Sequence, residues 1–352
     1  MSQRRLRAVL VGAGFWATQA HLPALRAQED VDLIGVVDPE IDRARALATA
    51  NDIRLVAGSL DELLATERPD LIVIAAPTES HATLSAAGLK AGAAVLCEKP
   101  LANTVQAAVE VAEVADGVSV PSSVGYSFRY GPPLQQLKKD IERGALGVPW
   151  LLEMFEYNAQ FHPSRGKLTG WKGDPAQARA GALLEYGSHL VDLAGWLAGP
   201  VDDVHASFAR VLPGARLDDI ATLQLRFREP AIGVLVAGWV LSGSIPGIKI
   251  RFHGSEGLAE VEMNQILPGG QAYRRASLDG VMQEVPLPSL PDLVSAYACR
   301  HVADLVARLR GEASPFPDTL PTMRDGVRVQ QVIEASLAAT GGWQAVEPCP
   351  IQ

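Results

Sequence analysis

The fold is decided by the stretch RAVLVGAGFWA, which covers residues 7–17. It joins an apolar run to the pattern Gly-x-Gly-x-x-Ala at Gly12, Gly14 and Ala17, and a helical pattern follows. The first glycine permits a tight turn, the second lets the backbone approach a pyrophosphate, and the small third residue lets helix and strand pack closely. The stretch therefore predicts dinucleotide binding. We expect the cofactor to contact Gly12, Gly14, Phe15 and Trp16.

The next apolar run, LIGVVD, ends in an acidic residue, Asp38. This is about the distance from the glycines at which a carboxylate accepts hydrogen bonds from an adenosine ribose. The charges of Asp38 and the nearby Glu40 would repel a 2′-phosphate, whereas Arg43 argues in the opposite direction. The sequence thus predicts NAD as the cofactor, with NADP as the alternative.

Further Val/Ile/Leu runs follow in the first third of the chain: LIVIAAP, AVLCEKP and VSVPSSVGY. Helical patterns separate them at 40–50, 80–91 and 105–115. Continuous apolar runs alternating with helices indicate parallel strands that are buried on both faces. This predicts an α/β fold with an N-terminal doubly wound parallel Rossmann sheet.

The order of helix and strand patterns changes after residue 125. A helix at 134–143, a strand at 150–156 and a helix at 181–197 lead to successive strand patterns such as ATLQLRF, AIGVLVAGW and IKIRFHG, and helices at 293–309 and 323–339 follow. Strands without intervening helices predict a C-terminal α+β domain with a mostly antiparallel, open-faced sheet. Because the chain has 352 residues, more than one core is expected. We predict a Rossmann domain at 1–124 and a substrate-binding and oligomerisation domain at 125–352.

Composition excludes several classes of protein. The formal charge is −9, from 40 acidic and 31 basic residues, without a long block of like charge, so no nucleic-acid partner is expected. The three cysteines lack metal-ligand spacing and, being odd in number, do not indicate a disulfide framework. No apolar run approaches the roughly 20 residues of a membrane span. We expect a cytoplasmic protein that does not enter a membrane.

Two of the predicted strands end in polar residues. The fourth ends in Pro77-Thr78-Glu79-Ser80-His81, and the fifth in Glu98-Lys99-Pro100. Ligands of doubly wound sheets bind at these carboxyl ends. Lys99 is either a proton donor or acceptor beside the cofactor or a solvated lysine before a proline turn. His81 is either a cofactor contact or a histidine that satisfies a helix N-terminus.

A polar stripe interrupts the apolar helix at 181–197. Glu185, His189 and Asp192 are spaced by four and three residues and therefore share one face. The stripe is either a buried, internally satisfied network or the wall of a pocket in which His189 moves protons, and we favour the pocket. Zinc ligation is a third reading, but the sequence offers no further ligand, and we expect no metal.

In this order, these elements resemble the glucose–fructose oxidoreductase, inositol dehydrogenase and rhizopine-catabolism family, usually called Gfo/Idh/MocA. The resemblance covers nearly the whole chain, and its most specific element is Glu98-Lys99-Pro100. It implies a Rossmann domain followed by an open-faced sheet that builds homodimers or homotetramers. It also implies a cis peptide bond between Lys99 and Pro100.

The resemblance further implies roles for individual residues. Lys99 matches the family's catalytic lysine and His189 its proton-relay histidine, while Glu185 stands where the family usually has aspartate. Phe128 stands where inositol dehydrogenases tend to have an arginine. We expect cofactor contacts from Pro77, Thr78, His81, Glu98 and Lys99 in addition to the glycine turn. We expect substrate contacts from Lys99, Tyr126, Phe128, Arg129, His162, Trp171, Glu185 and His189.

The function that follows is hydride transfer between a nicotinamide cofactor and a carbinol or carbonyl of a sugar, sugar derivative or cyclitol. Lys99, His189 and Glu185 are the expected catalytic residues, and the substrate is a small polyhydroxylated molecule. Two alternatives remain from relatives of this kind. One is a lyase or glycosidase that retains NAD and uses transient oxidation; the other is a non-catalytic regulator that binds a dinucleotide.

Overall fold

A computed structural model describes residues 4–162, 164, 179–241, 247–263, 270–290, 293–339 and 341–348. The chain divides into two compact units. One comprises the described residues of Met1–Tyr130 and Val294–Val327, and the other those of Gly131–Leu293 and Arg328–Pro350. Among the helices so described, none is long and apolar enough to cross a membrane.

The N-terminal unit contains a six-stranded parallel sheet in the order β3-β2-β1-β4-β5-β6. Its strands are β1 (Leu6–Val11), β2 (Val31–Val37), β3 (Leu55–Ala57), β4 (Leu71–Ile74), β5 (Ala94–Cys97) and β6 (Ser122–Val124). Its helices are α1 (Leu22–Arg26), α2 (Ile41–Ala50), α3 (Leu60–Thr66), α4 (Thr78–Lys90) and α5 (Val105–Asp116), with a π-helical segment at Ala17–His21 and a 3₁₀ turn at Ser127–Tyr130. This strand order is that of a Rossmann fold, with its switch point between β1 and β4.

The burial of the central strands explains why their sequence patterns predict them correctly. Every residue of β4 and β5 is buried, as expected for central strands covered by helices on both faces. The Rossmann prediction is confirmed, and the helices expected at 40–50, 80–91 and 105–115 occur within two residues of those limits. The short edge strand β3 was not expected, because three residues are too few to show a period.

The second unit contains a nine-stranded sheet in the order β14-β13-β12-β11-β7-β10-β9-β8-β15. Its strands are β7 (Pro149–Tyr157), β8 (Val201–Ala209), β9 (Ile220–Phe227), β10 (Ile232–Gly238), β11 (Gly247–Gly254), β12 (Gly257–Met263), β13 (Gln271–Ser277), β14 (Gln283–Glu284) and β15 (Gln344–Ala345). All neighbouring strands are antiparallel except β7 and β10, which pair in parallel. The prediction of a mostly antiparallel sheet is confirmed.

Helices of the second half lie in both units. They are α6 (Pro132–Glu142), α7 (Ser188–Ala198), α8 (Leu293–Leu309) and α9 (Met323–Ala338), and a π-helical segment, Leu183–Gly187, leads into α7. Ala298, Val302 and Leu305 of α8 belong to the same buried cluster as β1, β4 and β5. Contacts therefore group residues 294–327 with the Rossmann unit, whereas the sequence prediction assigns them to the domain at 125–352.

Candidate active site

The glycine turn after β1 has the backbone geometry of a phosphate-binding turn. Gly12 has a φ of 101°, and a Cβ at this position would lie 2.2 Å from the carbonyl oxygen of Ala75. Only glycine fits here. A Cβ on Gly14 would have no atom within 4 Å, so the space over this part of the backbone is open. The residues present therefore fit the pyrophosphate of a dinucleotide, which must approach the backbone closely.

Two aromatic side chains stand exposed beside this turn. Phe15 is 72% exposed, and it packs edge to face against the exposed Trp16 with ring centroids 5.8 Å apart. Ala17, by contrast, is fully buried, as the close packing of helix and strand requires. An exposed pair of large apolar rings beside a binding turn is a surface that a ligand can cover. The cofactor contacts predicted for Phe15 and Trp16 remain predictions.

Asp38 connects the end of β2 to the glycine turn. Its side chain is nearly buried, and its carboxylate accepts hydrogen bonds from the backbone N–H groups of Ala13 and Glu40, both at 2.8 Å. Arg43 Nη1 lies 3.8 Å from Asp38 Oδ2, and the Arg43 side chain is largely exposed. The two amides hold the carboxylate in one orientation, so the acceptor is preorganised at the edge where a ribose is expected.

The carboxyl ends of three neighbouring strands carry the other predicted site residues of this unit. Strands β1, β4 and β5 are adjacent in the sheet. Gly12 follows β1, the exposed Pro77 and the buried Thr78 follow β4, and Glu98 and Lys99 follow β5. The carboxyl ends of parallel strands lie at the same edge of a sheet, so the structure places these predicted residues at one edge.

His81 lies on α4 and is only 1% exposed. Its Nδ1 is 2.7 Å from the carbonyl oxygen of Pro100, and its Nε2 is 2.8 Å from that of Ala76. Carbonyl oxygens only accept hydrogen bonds, so this arrangement assigns a proton to each ring nitrogen. Burial alone would lower the pKa of His81, but the Cys97 thiol and the two carbonyls raise it to about 9. A contact between His81 and a cofactor would therefore be made by ring carbons.

Glu98 faces into the protein and contacts a residue that the sequence did not single out. His21 Nε2 lies 2.8 Å from Glu98 Oε1, and the backbone N–H of Lys99 donates to Glu98 Oε2 at 3.1 Å. Burial would raise the pKa of Glu98, but the His21 hydrogen bond and the charge of Lys99 lower it to about 2, so the carboxylate is ionised. The expected cis peptide bond between Lys99 and Pro100 is confirmed.

Three residues predicted to contact substrate are almost fully buried: Tyr126, Phe128 and Arg129. The ring of Phe128 packs edge to face against Tyr297 at 6.3 Å, and Arg129 Nη1 lies 3.4 Å from Asp325 Oδ2. These contacts lie within the N-terminal unit. They give Phe128 and Arg129 a packing role, and substrate contact at all three positions remains a prediction.

In the second unit, the helix with the polar stripe begins as a π-helix and continues as α7. Most of its residues are buried, whereas Glu185 and His189 are partly exposed. Asp192, the third residue of the stripe, is buried. π-Helical turns displace side chains relative to a regular helix and are frequent at functional sites. Glu185 and His189, both predicted from the sequence to be catalytic, are thus among the polar side chains of this helix that reach the surface.

Asp218 holds the start of this helix from a distant part of the chain. Its carboxylate accepts hydrogen bonds from the backbone N–H groups of Gly181 at 2.6 Å and Leu183 at 2.8 Å. Burial and the adjacent Asp219 raise the pKa of Asp218, against the lowering effect of these N–H groups. A Cβ on Gly181 would lie 2.0 Å from the Asp218 carbonyl oxygen, so the approach requires glycine.

Of the two residues between 157 and 172 that are expected to contact substrate, His162 is among the described residues. His162 Nδ1 lies 2.8 Å from Ser164 Oγ, and Phe161 packs edge to face on Trp239. Trp171 lies outside the described residues, as do Arg165 and Lys167. Across the ranges that the structure describes, no cluster of three His, Cys, Asp or Glu side chains could hold a metal ion.

His21 and Asp218 were missed by sequence reasoning. The available signal for His21 was a histidine within the apolar segment that follows the glycine turn, and for Asp218 a pair of adjacent aspartates just before a strand. Neither signal names a partner, because Glu98 lies 77 residues from His21 and Gly181 lies 37 residues from Asp218. Only the fold brings these groups into contact.

Two family models match the chain. The model described as an oxidoreductase family with an NAD-binding Rossmann fold matches residues 6–126, and the GFO/IDH/MocA C-terminal domain matches residues 134–260. The matched segments lie on the Rossmann sheet and on the second unit, and together they cover most of the chain.

Individual proteins are also similar. D-apiose dehydrogenase of Paraburkholderia graminis is 27% identical over 72% of this chain and 67% of its own length. Inositol 2-dehydrogenase of Rubrobacter xylanophilus is 28% identical over 90% of this chain and 86% of its own. The structure of levoglucosan dehydrogenase in complex with NADH superimposes with a TM-score of 0.85 over 98% of this chain and 100% of that chain, at 21% identity. The last likeness concerns the fold alone.

Proposed function

The chain belongs to the Gfo/Idh/MocA family of NAD-binding oxidoreductases, and we propose that it oxidises a carbinol, or reduces the corresponding carbonyl, of a sugar, sugar derivative or cyclitol. The observation that carries the proposal is the position of Lys99, at the carboxyl end of β5 on the sheet edge that also bears the glycine turn and Asp38. Relatives whose names identify D-apiose and inositol as substrates support this substrate class.

The proposed chemistry divides between cofactor and protein. A bound nicotinamide accepts or supplies the hydride. Lys99 and His189 are the residues proposed to transfer the proton of the substrate hydroxyl, because a carbinol loses hydride readily only as that proton is removed. Glu185, partly exposed one helical turn before His189, orients the imidazole. The Gly12–Gly14 turn and Asp38 bind the cofactor.

A screen of sugars, sugar acids and inositols with each nicotinamide cofactor tests the function. We expect at least one compound to give net reduction of added NAD⁺, seen as the absorbance of NADH. A lyase or glycosidase that retains NAD would consume its substrate without net reduction. A non-catalytic regulator would bind NADH and turn over no member of the panel. Either result contradicts the proposal.

We predict that NAD binds at least about tenfold more tightly than NADP, a difference of about 1.4 kcal/mol. The Asp38 carboxylate is held by two backbone amides, so it cannot readily move away from a 2′-phosphate. Calorimetric titration with both cofactors measures the ratio of their dissociation constants.

The variant Asp38→Asn removes the charge and keeps an acceptor oxygen for one of the two backbone amides, so it should narrow the difference in affinity between NAD and NADP. Asp32→Asn makes the same substitution at an exposed position at the start of β2, the opposite end of this strand from Asp38, so it is the matched control and should leave the ratio near that of the wild type. Equal or tighter binding of NADP by the unmodified protein would overturn the assignment.

We also propose that the protein forms a homo-oligomer through the outer face of the second sheet. On the paired strands β7 and β10, Leu151 and Phe155 stand in register with Ile232 and Val236, and none of these four apolar side chains is buried. An apolar sheet face of this kind usually marks an interface.

Light scattering at micromolar concentration should therefore give a mass of at least two chains. Val234→Lys, in the middle of this face, should lower the mass, whereas Asp61→Lys on the exposed side of α3 should not. A monomeric mass for the unmodified protein would count decisively against the proposed interface.

A further inference from the structure

The turn that carries Lys99 is held on both sides by buried histidines. Glu98 precedes the lysine and contacts His21, whereas Pro100 follows it and contacts His81. The two histidines come from different elements, the π-helical segment after the glycine turn and helix α4. Both lie within the N-terminal unit, as does the turn.

On the first side, the link from His21 to Lys99 runs through one carboxylate. Glu98 Oε1 accepts the hydrogen bond from His21 Nε2, and Glu98 Oε2 accepts the backbone N–H of Lys99. His21 is 3% exposed and ends the π-helical segment Ala17–His21. The carboxylate is ionised and bound at both oxygens, by a charge-assisted hydrogen bond from His21 at 2.8 Å and by the longer one from the Lys99 N–H at 3.1 Å, so its orientation is held from two directions.

Close backbone packing confines the same carboxylate from behind. A Cβ on Gly125 would lie 3.1 Å from Glu98 Oε1 and 3.0 Å from Glu98 Cα. The backbone N–H of Gly125 donates to the carbonyl oxygen of Cys97 at 2.7 Å. Glu98 is therefore enclosed between the glycine backbone and the His21 ring, which leaves it few alternative rotamers.

On the second side, His81 spans two turns at the sheet edge. Its Nδ1 donates to the Pro100 carbonyl oxygen, and its Nε2 donates to the Ala76 carbonyl oxygen at the end of β4. The imidazole thus ties the residue that follows Lys99 to the turn that follows β4. The hydrogen bond to Pro100 is buried and the one to Ala76 is partly buried, so the loss of the first in particular leaves a buried carbonyl unsatisfied and is costly.

We propose that His21 and His81 are positioning residues that clamp the turn from Glu98 to Pro100 and so fix the direction in which Lys99 leaves the backbone. The clamp extends the proposed function, because it is useful for catalysis only if Lys99 transfers a proton. A lysine side chain has many rotamers, and a displacement of about 1 Å at a reacting group can cost about a hundredfold in rate. Anchoring both neighbours of the lysine removes the backbone part of that freedom.

The test measures the reactivity of Lys99 directly and needs no substrate. The protein is treated with a trace of acetic anhydride, and acetylation of Lys99 is followed by mass spectrometry relative to Lys249, an exposed lysine of the second unit. A loosened turn exposes the amine more often and raises this ratio. Because the readout is chemical labelling, it remains informative even if Lys99→Met shows that the lysine is not catalytic.

Asparagine and glutamine provide a crossed pair of variants. The side-chain N–H₂ of glutamine reaches the place of Nε2 of histidine, and that of asparagine reaches the place of Nδ1. At position 21 the clamp uses Nε2, so His21→Gln should label like the wild type and His21→Asn should raise the ratio about fivefold or more. At position 81 the Pro100 contact uses Nδ1 and the Ala76 contact uses Nε2. His81→Asn keeps the contact with Pro100, next to Lys99, and loses the one with Ala76, whereas His81→Gln does the reverse, so His81→Gln should raise the ratio more than His81→Asn.

Asparagine should therefore label more than glutamine at position 21, and glutamine more than asparagine at position 81. Only clamping through specific hydrogen bonds explains this reversal. A general loss of stability, checked by thermal melting in circular dichroism, would affect asparagine and glutamine alike at each position. The proposal is contradicted if the ratio of Lys99 to Lys249 acetylation equals that of the wild type in all four variants. It is also contradicted if the same one of the two substitutions, asparagine or glutamine, gives the higher ratio at both positions. If the variants at one position fail to fold, the pair at the other still decides between the two results.

Discussion

Lys99→Met is expected to lower turnover by about a hundredfold or more while the affinity for NAD changes little. Methionine keeps the length of the side chain and removes the amine, so the variant loses proton transfer at the substrate hydroxyl. The cofactor contacts expected of the Gly12–Gly14 turn and Asp38 remain. Steady-state kinetics with a substrate from the screen, together with calorimetric titration of NADH, separate the two effects.

Two further lysine variants sharpen the result. Lys99→Arg keeps the positive charge but cannot release a proton at neutral pH, so it should be nearly as slow as Lys99→Met. Lys90→Met makes the same substitution at an exposed lysine at the end of α4 and should turn over normally. Near-normal turnover of Lys99→Met would remove the lysine from the mechanism.

His189→Ala is expected to lower turnover on the same scale, about a hundredfold, again with little change in cofactor affinity. The imidazole is partly exposed on a helix that is otherwise largely buried, and histidine is the side chain that most often transfers protons in enzymes. His253→Ala, at a half-exposed histidine of β11 that contacts Glu153, is the control and should be active.

Glu185 distinguishes orientation from direct proton transfer. Glu185→Gln keeps a hydrogen-bond acceptor and removes the charge, so it should cost less than His189→Ala if the carboxylate only orients the imidazole. A loss as large as that of His189→Ala would instead assign the proton transfer to Glu185. Unimpaired turnover of His189→Ala would contradict the proposed role of the histidine.

Local patterns predicted the architecture because they report what each segment must bury. The runs at Leu71–Ile74 and Ala94–Cys97 are apolar at every position, and the structure buries every one of these residues at the centre of a parallel sheet. The glycine turn was equally readable, since the positive φ of Gly12 and its approach to Ala75 leave no alternative residue. Each of these predictions needed information from only a few neighbouring positions.

Two features depended on strand order and packing instead. The sequence pattern gave no sign that β7 and β10 pair in parallel within an antiparallel sheet, because register and partner choice are set by the whole sheet. Helix α8 follows the last strands of the second unit along the chain yet packs into the Rossmann core. An amphipathic pattern shows that a helix buries one face, but it does not show against which sheet.

For the candidate site, the amino-acid sequence alone predicted which groups have the right chemistry and on which elements they lie: a glycine turn, Asp38, Lys99 after a buried strand, and Glu185 with His189 on one helix. The three-dimensional arrangement determined their partners. His21 meets Glu98, and Asp218 meets the amides of Gly181 and Leu183, across long separations in the chain. The physical reason is that hydrogen bonds act over about 3 Å, so the partner of a buried polar group is fixed by how strands and helices pack rather than by its neighbours in sequence.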